Sequence, residues 1–125
     1  MTTKSVETLN FSEKIQNIST VEEIKSSIIK PYKDILNNLQ EVYIFGAKEL
    51  GKRFHDFFSQ AGIKVLGFID NDTAKQKQEF CGCKILNIKD LLDKKEQITI
   101  VIASIYYLHE INEQLKELGF KKVVR

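Results

Sequence analysis

The decapeptide Val42–Gly51, VYIFGAKELG, carries the change of pattern that decides the fold. Val42 to Phe45 form an unbroken apolar run that stops at Gly46. Such a run, closed by glycine, suits a short strand buried on both faces. Helical spacing begins at once. Leu50, Phe54, Phe57 and Phe58 fall at i, i+4, i+7 and i+8, one broad apolar face. The spacing predicts a helix over Glu49–Ala61, ended by Gly62.

Downstream the same alternation repeats. Lys64–Ile69 reads as a second strand, and Asp70-Asn-Asp-Thr73 as a turn cluster at its end. A polar Lys/Gln segment leads to a short third strand at Lys84–Leu86 and a helical turn over Ile88–Leu92. Ile98–Ala103 is a fourth strand. Ile105–Leu118 follows as a helix with Leu108, Ile111, Leu115 and Leu118 on one face, and Gly119 ends it. Lys122–Val124 is a fifth strand. Strands alternating with helices imply crossover connections and a parallel sheet. The expected fold is a three-layer α/β sandwich whose sheet of about five strands runs in the order 3-2-1-4-5.

Upstream the pattern differs. Residues 1–40 read as a polar helical extension to the domain at 41–125. Thr20-Val-Glu-Glu23 fits a capping box ahead of an apolar face at Ile24, Ile28 and Ile29. Pro31, the one proline, marks a break or a new start.

Composition narrows the function classes. In 125 residues, 42% apolar, there is room for one ordinary globular core. The 19 basic and 17 acidic residues are interspersed, so no electrostatic footprint for nucleic acid or a membrane surface exists. No apolar run reaches membrane-spanning length, and a cytoplasmic protein is expected. Cys81 and Cys83, one residue apart, read as reduced thiols. Neither His55 nor His109 offers the paired spacing of a metal site.

In a sheet of this order a ligand binds beyond the carboxyl ends of the strands, between the first and the fourth. Three segments reach that crevice: the Gly46–Gly51 loop, the Asp70–Asp72 turn and the Ser104–Tyr106 segment. Gly46 permits the tight turn, and Gly51 permits close approach of helix to sheet. Free backbone N–H groups at the helix N-terminus near Lys48–Leu50 suit a phosphate. Asp70, 19 residues after Gly51, stands where a carboxylate accepts from a ribose hydroxyl. Against the dinucleotide pattern G-x-G-x-x-G, the middle glycine is Lys48. Three readings stay open at this position. Lys48 helps hold a different phosphate ligand, or binding has been lost, or an ordinary dinucleotide is bound.

The stretches VYIFGAKELGKRF, KVLGFIDND, FCGCKIL and ITIVIASIYYLHEINEQLKELGF together resemble Rossmann-like domains of bacterial sugar biosynthesis. Similar modules begin polysaccharide-biosynthesis nucleotide-sugar dehydratases and sugar acetyltransferases. The resemblance covers about residues 41–124. It carries Gly46, Ala47 and Gly51 onto the loop, Asp70 and Asp72 onto the acidic turn, and Gly82 onto the glycine before the third strand. Lys48 departs from the pattern. The resemblance implies a nucleotide-type ligand, NAD(P) or a nucleotide-sugar. The residues expected to contact it are Gly46, Ala47, Lys48, Glu49, Gly51, Asp70, Asn71, Ser104 and Tyr106.

Catalytic groups are harder to find. Sugar epimerases and dehydratases of the short-chain type need Tyr-x-x-x-Lys, in which lysine lowers the tyrosine pKa. None of Tyr32, Tyr43, Tyr106 and Tyr107 has a lysine four residues on. A Ser104–His109 pair lacks a third, orienting group, and both histidines read as solvent-facing. The expectation is a non-catalytic nucleotide or nucleotide-sugar binding module, accessory to surface-glycan biosynthesis. Two alternatives are an interaction domain that has lost its ligand and a fragment of an NAD-dependent nucleotide-sugar dehydratase or epimerase. The N-terminal helices would then serve a homo-oligomer or a partner enzyme.

Overall fold

The computed structural model describes residues 39–125. The capping box at Thr20, the break at Pro31 and all but the last two residues of the expected extension lie outside the described residues. The elements run β1 (Glu41–Phe45), α1 (Glu49–Gln60), β2 (Lys64–Ile69), β3 (Glu79–Phe80), β4 (Cys83–Leu86), a 3-10 helix (Ile88–Lys94), β5 (Thr99–Ile102), α2 (Leu108–Leu118) and β6 (Lys122–Val124).

The six strands form one sheet in the order β3-β4-β2-β1-β5-β6. The pairs β4–β2, β2–β1, β1–β5 and β5–β6 are parallel, which reproduces the expected 3-2-1-4-5 order of five strands. The sequence reading lacked β3. Glu79 and Phe80 pair antiparallel with Lys84 and Cys83, closed by a two-residue turn in which Cys81 and Gly82 have φ of 52° and 76°. Two consecutive residues of positive φ make the hairpin turn whose twist matches its strands. A strand two residues long shows no periodicity, so only its turn betrays it.

β1 explains the three layers. Val42 and Ile44 point to one face, Tyr43 and Phe45 to the other, and all four are buried. On the first face Phe54, Phe57 and Phe58 of α1 pack with Phe68, Ile85 and Val101. On the second, Ile111 and Leu115 of α2 and Ile88 and Leu91 of the 3-10 helix pack with Ile69, Ile100 and Ile102. Each large apolar side chain removed from water contributes about 1.5–3 kcal/mol. α2 ends at the expected Leu118 and α1 at Gln60, one residue short of the expected end, with Ile63 N–H donating to the Phe58 carbonyl and Phe120 N–H to that of Leu115.

One helix boundary moves by three residues. α2 begins at Leu108, not Ile105. Ile105 continues the apolar spacing of Leu108 and Ile111, which is why the pattern overreaches. The Ser104 hydroxyl accepts from the Tyr107 N–H (3.1 Å), a local turn that competes with the helix. Residues 105–107 therefore form an irregular loop at the end of β5.

Candidate functional site

From β1 the chain leaves to one side, through β2 and β4, and returns on the other side as β5. A cleft of about 690 Å³ opens where the order reverses, at the carboxyl ends of β1, β2 and β5.

Its floor is the β1–α1 loop. Gly46 has φ +125°, and an added Cβ would lie 2.6 Å from the Ala103 carbonyl oxygen on β5's exit loop. Only glycine fits both constraints. Gly51 is held by packing. A Cβ there would collide with the Gly46 carbonyl and stand 3.3 Å from the Phe68 ring. The two glycines interlock: one turns the loop, the other lets its carbonyl tuck beneath α1.

α1 opens at Lys48, which is extended (φ −136°) and provides no side-chain cap. The first helical hydrogen bond runs from Lys52 N–H to the Lys48 carbonyl (3.0 Å). The amides of Glu49, Leu50 and Gly51 precede that ladder and carry the positive end of the helix dipole. Lys48 is exposed on the cleft wall, and its ammonium makes no ion pair among the described residues. Glu49, beside it, sets a carboxylate at the same helix end.

Asp70 ties the loop to the end of β2. Its Oδ2 accepts from the Ala47 N–H (3.0 Å), and its Oδ1 accepts from the Asp72 N–H (2.9 Å). Lys75 Nζ donates to the Ala47 carbonyl (3.1 Å) and stands 3.9 Å from Asp70 Oδ2. Gln76 Nε2 donates to the Asp70 carbonyl (2.9 Å). Each carboxylate oxygen retains a second lone pair with which to accept from a ligand hydroxyl.

The structure thus gathers Gly46, Lys48, Glu49, Asp70 and Asn71 around one cleft, with Ser104 and Tyr106 on the far wall. It does not bring Ala47 or Gly51 to the wall. The Ala47 side chain is buried in the α1-side core, its N–H and carbonyl engaged by Asp70 and Lys75. Gly51 is buried beneath the loop.

The sequence reading missed Arg53 and, on α2, Glu110 and Gln114, which also border the cleft. Glu110 and Gln114 lie four apart on one helical face, a spacing that surface residues share everywhere. Gln114 is marked by its partner instead. Its carboxamide and that of Asn71 exchange two hydrogen bonds, of 2.9 and 3.2 Å, across the mouth. Two cations, Lys48 and Arg53, face four carboxylates, Glu49, Asp70, Asp72 and Glu110. Tyr106 is 94% exposed at the rim.

The remaining candidates are not assembled for chemistry. The Ser104 hydroxyl is engaged with the Tyr107 amide, while His109 is exposed on α2. His55 corrects the solvent-facing reading. Its ring stacks on Phe68 (centroids 6.1 Å apart), and its buried Nδ1 lies 3.6 Å from Asp56 Oδ1, beyond hydrogen-bond reach. Burial pushes both thiols above their ordinary value. The Asp56 carboxylate adds to this at Cys81, where Lys52 opposes it, and Glu79 adds to it at Cys83. Among the described residues no group of three or more His, Cys, Asp or Glu could hold a metal, and no helix is long and apolar enough to cross a membrane.

Comparison with solved structures agrees with the topology. UDP-D-quinovosamine 4-dehydrogenase from Vibrio fischeri is 26% identical, with a TM-score of 0.54, over 70% of this chain and 79% of that one. RSP, a Rex-family repressor, is 17% identical, with a TM-score of 0.56, over 83% of this chain and 52% of that one. RSP in complex with beta-NADH gives 16% identity and a TM-score of 0.54, over the same shares of the two chains. This chain therefore spans about half the length of RSP. No curated protein matches the sequence significantly. The architecture is Rossmann-like. A family model matches residues 38–124, the sheet and both helices in full, and the chain belongs to the C2185-like, N-terminal family.

Proposed function

We propose that the cleft binds a nucleotide-type small molecule, a nucleotide or nucleotide-sugar, and that the chain works as a binding module without catalysis of its own. The observation that carries this is the convergence of three features on one cleft: the uncapped start of α1, the Lys48 ammonium, which has no ion pair among the described residues, and the Asp70 carboxylate. Phosphate would sit at the helix start, with Lys48 supplying the charge that bare backbone supplies in a three-glycine loop. Ribose would hydrogen-bond to the spare lone pairs of Asp70. A volume of about 690 Å³ falls within the usual range for such ligands.

The solved neighbours support the ligand class by what their names state: one acts on a UDP-sugar, another was crystallised with NADH. NAD(P) and nucleotide-sugars are accordingly the cofactors to test. A cytoplasmic role accessory to surface-glycan biosynthesis is part of the same proposal, and the likeness to an enzyme named for a UDP-sugar supports it. Residues 41–125 are the binding domain in this reading, and residues 1–40 an extension that serves a second copy or a partner enzyme.

A second reading rests on Asp70. Its two oxygens already accept from the Ala47 and Asp72 amides, as expected of a scaffold whose site has closed on itself. Thermal melts with NAD(H), NADP(H), UDP-sugars, CMP, S-adenosylmethionine and acetyl-CoA at millimolar concentration separate the two. A rise in melting temperature with one member, reduced by Lys48→Ala, supports the binding module. A flat panel sinks it in favour of the scaffold.

A further inference from the structure

Asn71 and Gln114 stand on opposite walls of the cleft, one in the turn after β2, the other midway along α2. Their carboxamides form a closed pair, Asn71 Nδ2 to Gln114 Oε1 (2.9 Å) and Gln114 Nε2 to Asn71 Oδ1 (3.2 Å). Each amide thus shows the other a donor beside an acceptor. Nucleobases present that same pattern on their edges, as adenine does with its amino group and ring nitrogen, and carboxamides read it bidentately.

We infer that the Asn71–Gln114 pair is the base-reading element of the cleft: a nucleobase edge enters by displacing one amide from the other. The inference rests on the nucleotide-binding reading above and names the part of the ligand this pair takes.

Charge assigns the orientation. Lys48 lies at the α1 end, with the dipole of that helix, so the phosphate belongs there. The wall opposite carries Glu110, and Asp72 follows Asn71, so an anion is repelled where the amides stand. A neutral heterocycle is not. Tyr106 and Tyr107, 94% and 57% exposed on the same wall, offer faces on which a base stacks. The pair itself is solvent-exposed, so the base replaces hydrogen bonds worth little in water rather than opening a buried network.

Isothermal titration of wild type, Asn71→Ala and Gln114→Ala with AMP, UMP and ribose 5-phosphate tests this. Wild type is expected to hold at least one nucleoside monophosphate about tenfold or more tighter than ribose 5-phosphate. Both variants should lose most of that preference and bind ribose 5-phosphate unchanged. The side-chain amide resonances of Asn71 and Gln114 should shift with the nucleotide and not with the sugar phosphate. If the variants keep the wild-type preference, base reading by the pair is overturned while nucleotide binding stands. If wild type binds all three equally, the site is a phosphate site and the inference falls. If wild type binds none, nucleotide binding itself fails and takes the inference with it.

Discussion

Gly46 and Gly51 look alike in the sequence and do different work. At Gly46 a side chain meets both a positive φ and the Ala103 carbonyl. Gly46→Ala should lower stability by about 2–4 kcal/mol, read by urea unfolding. At Gly51 the obstacle is the loop's own backbone, so Gly51→Ala should cost about 1–3 kcal/mol and displace the loop from α1. Asp70→Ala leaves the Ala47 and Asp72 amides without acceptors and should cost about 1–3 kcal/mol even with no ligand present. The sequence placed Asp70 at the end of β2 correctly, because spacing from the loop suffices for that. It gave no hint that Lys75 and Ala47 would share the carboxylate's neighbourhood. That depends on how a polar segment folds back, and no periodicity encodes it. Gln114 was illegible for a related reason: its partner lies 43 residues away.

The elements were legible in proportion to their length and burial. α1 carries three phenylalanines with no exposed surface, and its limits were read to within one residue. β3 and the start of α2 were misread, since local turns at Cys81–Gly82 and at Ser104 decide both. The hairpin offers a direct check. Cys81 occupies the first turn position at φ 52°, where asparagine is better tolerated. Cys81→Asn should raise stability by roughly 0.5 kcal/mol in denaturant melts. Phe57→Ala, by contrast, opens a cavity in the α1-side core and should cost about 3–5 kcal/mol.

For the molecule as a whole, the two thiols make one contribution to how stability varies with pH. A raised thiol pKa in the folded state favours the neutral form. The stability linked to it is complete below the pKa of the unfolded thiol and is lost as pH rises through the folded one. Unfolding free energy should therefore fall on the alkaline side of the ordinary thiol range, and less so in Cys83→Ala. Below that range both thiols should alkylate more slowly than cysteine in a short peptide, because the thiolate is the reactive form.

The interlocked loop has a consequence for descent. Gly46, Gly51 and Asp70 hold the β1–α1 connection together whether or not anything is bound. A lineage that abandoned its ligand would still be under pressure to keep all three, since the loss of each lowers the stability of the fold. The familiar glycine-and-acid signature is then a record of how the chain folds. Lys48, Asn71, Tyr106 and Gln114 are the positions that selection for a ligand would hold and that its relaxation would release, because the fold loses little without them.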